Sequence, residues 1–132
     1  MDELKILKKL MYYGAAVELI LGPIFTFFLD FGMRMVGIQY QPLFYQMTGI
    51  LITLFGVLLW YATRDIETYR IILITNIILR FSVQVPAYIC LIQLPILAPI
   101  LIPCVIYDLI WGIVALFLSW KANLLFLSKK NE

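Results

Sequence analysis

Three charged side chains interrupt otherwise apolar stretches of this sequence: Glu18, Arg80 and Asp108. Two carboxylates and a guanidinium are the groups that pass protons, hold a cation or neutralise one another. Around Arg80, polar residues recur at every fourth position as Asn76, Arg80, Gln84 and Tyr88, the spacing of one stripe along a helix. Glu18 shares such a stripe with Gly14, Gly22 and Thr26, and Asp108 shares one with Gly112, Ala115 and Ser119. Thr53 stands with Gly49, Gly56 and Trp60, and Trp111 follows Asp108 by three residues. The candidate ligand-binding set is therefore Glu18, Arg80, Asp108, Asn76, Gln84, Tyr88, Thr53 and Trp111.

Other chemistry is excluded or unsupported. The chain has no histidine, which removes histidine-held haem, His-containing zinc sites and His-based catalytic triads. Its two cysteines, Cys90 and Cys104, lack CxxC spacing and read as small apolar residues rather than a redox pair. No activated nucleophile and no metal-ligand spacing is present. No catalytic residue, metal or cofactor is expected. A formal net charge of +2 is too small to point to nucleic acid.

The elements that must carry these residues follow from composition. Hydrophobic residues make up 64 % of the 132 and charged residues 14 %, with a mean hydropathy of +0.98. Soluble domains have about 45–50 % and 25 %. Too little polar surface remains to cover a water-soluble core, so the chain reads as an integral membrane protein.

A spanning helix needs about 20 mainly apolar residues, and the sequence supplies four such runs, at about 10–29, 43–63, 69–93 and 103–127. The stretch from Ile71 to Tyr107 is too long for one crossing, reaching about 55 Å at 1.5 Å per residue against a hydrocarbon core of about 30 Å. Pro95, Pro99 and Pro103 break it, so residues 94–102 are expected to form an apolar turn, with Pro103 in the first turn of the fourth helix. That helix is expected to continue through Leu124, Leu125 and Leu127 before fraying at Lys129 and Lys130.

Basic residues set the orientation. Lys5, Lys8, Lys9, Arg64, Arg70, Lys121, Lys129 and Lys130 fall on one side, and only Arg34, in a 30–42 loop, falls on the other. Both termini are thus expected in the cytoplasm, with residues 1–132 forming a single multi-pass domain in the cell (inner or plasma) membrane. The N-terminal run contains Glu18 and no A-x-A-like cleavage site, so it reads as a retained first span. From the cytoplasmic ends, Glu18 and Arg80 lie about 14–15 Å deep and Asp108 about 20 Å. Three helices would then bring their charges to neighbouring levels. An arginine at that depth cannot shed its proton and requires partners.

Gly22-Pro23 ending a glycine-bearing first span, Arg64-Asp65 after the second, Arg80 in the third and Asp108-Leu109-Ile110-Trp111 in the fourth complete the pattern. In these features the chain resembles small four-helix bacterial membrane proteins of the DoxX-like and unassigned-domain type. The resemblance covers the whole chain in architecture and only these positions in motif. It implies a fold and carries over no catalytic residue.

The expected fold is all-α, a four-helix transmembrane bundle. Two functions remain open. In one, the inward polar faces form an intramembrane site for a small ligand or ion. In the other, the chain is an accessory subunit docked on a larger membrane complex. The lipid bilayer is the expected partner in either case, with a homo-oligomer or larger complex as a further possibility.

Overall fold

A computed structural model describes residues 2–39 and 41–125, and among them every regular element is helical. Six α-helices follow one another: α1 (Asp2–Phe27), α2 (Leu29–Met35), α3 (Pro42–Ala62), α4 (Arg70–Ser82), α5 (Gln84–Gln93) and α6 (Ala98–Lys121), with a 3-10 turn at Pro95–Leu97 before α6. Four helical stretches are long and apolar enough to cross a membrane: Asp2–Phe27, Pro42–Ala62, Arg70–Gln93 and Pro95–Lys121. This is the architecture of a multi-pass membrane protein. All four turn Ile, Leu, Val or Phe outward, as with Ile20, Leu54, Ile89 and Ile110.

The helix boundaries have local causes. Pro42 sits in the first turn of α3, where its missing N–H costs no bond. Pro86 leaves the Ser82 carbonyl without its usual donor four residues on, and α4 gives way to α5 at Val83. Leu94, just before Pro95, takes an extended conformation with φ −131° and ψ 70°, the bias that a following proline imposes.

Three expectations are corrected. Residues 94–102 are not an open turn: Pro95 starts the 3-10 turn, Pro99 lies in the first turn of α6, and Pro103 lies inside that helix. Pro99, in the first turn, lacks only a donor that would be orphaned anyway, so the helix begins earlier than expected. Pro103 leaves the Pro99 carbonyl without its usual donor, and the helix runs on through it. Residues 30–42 are not all loop, because they contain most of α2. Gly37, at φ 79°, ends α2 with N–H bonds from Gly37 to Arg34 O (3.0 Å) and from Ile38 to Met33 O (2.9 Å). Finally, α6 stops at Lys121 instead of running to Leu127. Asn123 is left-handed at φ 55°, and N–H bonds run from Asn123 to Trp120 O (3.0 Å) and from Leu124 to Ser119 O (2.9 Å). The apolar pattern persists past the helix because Leu124 tucks back and is buried. The expected fraying at Lys129 and Lys130 lies outside the described residues.

The chain divides into two compact units, residues 11–64 and residues 1–10 with 65–132. In the first, α1 and α3 approach almost backbone to backbone. A Cβ placed on Gly22 would lie 2.7 Å from the Thr53 nitrogen and 2.8 Å from the Gly49 carbonyl oxygen. A Cβ on Gly49 would run into Thr26 and Gly22 in the same way. Thr26 Oγ1 donates to Gly22 O (2.9 Å) and Thr53 Oγ1 to Gly49 O (2.8 Å), so two Gly-x-x-x-Thr segments face each other with matching internal bonds. Small residues permit this close approach. In the second unit α4 and α5 pack on α6, burying Leu73, Ile77, Val105, Ala115 and Leu118.

Candidate functional site

Arg80 is the centre of the polar site in the second unit. It belongs to α4 and is only 4 % exposed. Nε donates to Asn76 Oδ1 at 3.0 Å, one turn back on the same helix. Nη1 is ion-paired with Oδ1 of Asp108 on α6. The guanidinium carbon stands 4.2 Å from the Trp111 ring centroid and 5.3 Å from that of Tyr107, so two aromatic faces from α6 flank the charge. The arginine thus meets a carboxylate, an amide oxygen and π-faces, the environment an obligate cation needs away from water.

Its surroundings are held in turn. The Trp111 indole N–H donates to Leu10 O at 3.2 Å, tying α6 to the first turns of α1. Gln84 Nε2 donates to the Arg80 carbonyl oxygen at 3.0 Å, across the α4–α5 break. Gln84 Oε1 is buried with no hydrogen-bond partner. The Asp108 side chain keeps 27 % of its surface exposed, against 5 % for the guanidinium it holds. One acceptor group is thus reachable, and one turn away along α4 and α5 a second is buried with its capacity unused.

No protein-family model, curated protein or solved structure matches this chain.

The expected residues divide between the units. Arg80, Asp108, Asn76, Gln84 and Trp111 come together as described. Tyr88 belongs to α5 but is 48 % exposed and leaves the stripe. A four-residue step advances about 40° around an α-helix, and between Asn76 and Tyr88 the stripe also crosses the α4–α5 break at Val83. Glu18 and Thr53 belong to the α1–α3 unit and are half-buried. A Cβ on Gly56 would lie 3.0 Å from the Glu18 Cβ, so the Glu18 stem packs on the glycine face of α3.

Tyr107 was absent from the sequence-derived set. It precedes Trp111 by four residues and adjoins Asp108, a signal that an aromatic pair shares the face of a buried charge. Among the described residues no three Cys, Asp or Glu side chains converge as a metal site would require. What the arrangement offers chemically is one partly exposed hydrogen-bond acceptor, Asp108, beside a buried guanidinium, with the Gln84 acceptor buried nearby.

Proposed function

We propose that this multi-pass membrane protein binds a small hydrogen-bond-donating ligand or cation at the Arg80–Asp108 site, with both termini facing the cytoplasm. The observation that carries the reading is the Asp108 carboxylate, which is partly open although its partner Arg80 is buried. An acceptor left partly exposed beside a buried, already paired cation is able to take a further hydrogen bond from an incoming donor. The unused acceptor of Gln84 supports the same chemistry. The likeness to the DoxX-like and unassigned-domain proteins forms part of this proposal and supplies an architecture, not a ligand.

Binding is tested on protein reconstituted in lipid vesicles and titrated with methylammonium or guanidinium, with the carboxylate infrared bands as readout. A saturable band shift that disappears in Asp108→Asn and weakens in Gln84→Leu is expected. Bands that do not respond, or respond equally in Asp108→Asn, overturn the reading. The pair is then a lock fixing α4 against α6, and an accessory subunit of a larger membrane complex becomes the better function.

Orientation has its own test, after Cys90 and Cys104 are replaced by alanine. In sealed cells an impermeant thiol reagent should label a cysteine at Gln39 and spare one at Thr68. The opposite pattern reverses the topology.

A further inference from the structure

The helix α2 has three distinct sides. Leu29 and Met33 are its half-buried side, in the unit where α2 packs against α3. Asp30 and Arg34 form an ion pair of 3.0 Å one turn apart, and the Arg34 side chain is well exposed. Between them Phe28, Phe31 and Met35 point away from the protein, with Phe31 67 % exposed. At 100° per residue these three fall within about a 60° arc, while Asp30 and Arg34 occupy another sector.

A short loop in water would gain nothing by presenting two phenylalanines and a methionine outward while pairing its charges on another side. The arrangement suits a boundary, with apolar matter on one side and water on the other. Continuity indicates what the apolar matter is. Phe27, the last residue of α1, is separated from α2 by Phe28 alone and is exposed, as are Leu43, Phe44 and Met47 in the first turns of α3. These are the ends of two helices long and apolar enough to span a membrane. The outward face of α2 continues the outward faces of the spans it joins.

We infer that α2 is an interfacial helix that docks on lipid, with Phe28, Phe31 and Met35 immersed in the upper acyl region and Asp30–Arg34 held at the headgroup level. The two spans fix its ends, so its seven residues need not bind the membrane alone. The Gly37 cap ends the helix after Met35.

The test uses the full chain with Cys90 and Cys104 replaced by alanine, and single nitroxide labels at positions 28, 31, 34 and 35. It is reconstituted at high lipid dilution in phosphatidylcholine–phosphatidylglycerol vesicles. Collision with oxygen, which concentrates in acyl chains, is compared with collision with a water-soluble nickel chelate. The ratio of oxygen to nickel collisions is expected to be severalfold higher at 28, 31 and 35 than at 34. Equal ratios at all four positions would overturn the inference, low ones by putting α2 in water and high ones by sinking Arg34 with the rest in acyl chains. Labels at 28, 31 and 35 shielded from both reagents would mean that protein, a second copy or another chain, covers the face, which also overturns it. Labelling three apolar positions singly guards against one substitution disturbing the segment.

Discussion

The α1–α3 pair and the α4–α6 pair face the same problem in opposite ways. Lipid tails are as apolar as leucine, so burying leucine between helices contributes little to their association in a membrane. Between α1 and α3 the answer is proximity: Gly22 and Gly49 remove the side chains at the crossing, and backbone meets backbone. Between α4 and α6 the answer is charge: Arg80 cannot remain bare, and Asp108 with two aromatic faces gives it a place. The first device tolerates no added atom. The second tolerates no missing partner.

Asp108→Leu should be the most damaging change, because it strands a buried guanidinium beside Trp111 and Tyr107. Removing one member of a buried pair costs about 3–5 kcal/mol. The double variant Arg80→Leu/Asp108→Leu should recover much of that loss, since no charge is then left without a partner. Reversible unfolding in mixed micelles, analysed as a double-mutant cycle, reads both numbers. Additive losses would mean that the pair contributes through its separate surroundings and that charge is not what joins α4 to α6.

Glycine substitutions probe the other device. Gly49→Ala should cost about 1–3 kcal/mol, the usual penalty for overpacking, because the new methyl meets backbone that cannot move aside. Gly112→Ala should cost less. Its new methyl would lie 3.2 Å from the Phe81 ring, and a ring edge can give by the few tenths of an ångström required. The same unfolding assay ranks the two. An inverted ranking would show that α1 and α3 can separate without loss, so their closeness is not what holds them.

The smallest effect belongs to neither pair but to the water-exposed connection between α3 and α4. There the Thr68 hydroxyl donates to Asp65 Oδ2 (2.6 Å) and the Thr68 N–H to Asp65 Oδ1 (3.1 Å), and together these bonds lower the Asp65 pKa below its ordinary value. A lowered folded-state pKa gives stability that is full above the unfolded-state value and fades as pH falls through the folded one. Thr68→Ala should raise the Asp65 pKa toward the ordinary range and narrow that window, which carboxyl NMR titration measures directly. An unchanged titration would mean that the backbone bond alone holds the carboxylate.

Much of this was legible in advance, and what was not has physical reasons. The four long apolar stretches followed from composition, because only runs of that length and apolarity suit a bilayer. The core of the polar site followed from spacing, since Asn76 and Arg80 are four apart on α4 and Gln84 follows by four at the start of α5. Tyr88 leaves the stripe because the drift accumulates and the α4–α5 break intervenes. Tyr107 was overlooked because aromatic residues are abundant in apolar spans and only its position beside Asp108 singles it out. The early start of α6 was hidden by its prolines, because Pro99 suits a helix start and α6 runs on through Pro103. Asp30, Gly32, Arg34 and Gly37 made α2 look like loop, although Phe28, Phe31 and Met35 already carried a helical period. The end of α6 was hidden by Leu124, which satisfies the apolar pattern from outside the helix.

The indole of Trp111 stacks on a guanidinium and gives its N–H to a backbone carbonyl, and of the three tryptophans it alone is buried, since Trp60 and Trp120 are both more than half exposed. A positive charge over an indole face shifts its absorption and emission energies. The ion pair therefore carries a built-in optical reporter. With Trp60 and Trp120 changed to phenylalanine, the remaining emission would follow events at Arg80 in intact vesicles without any attached dye.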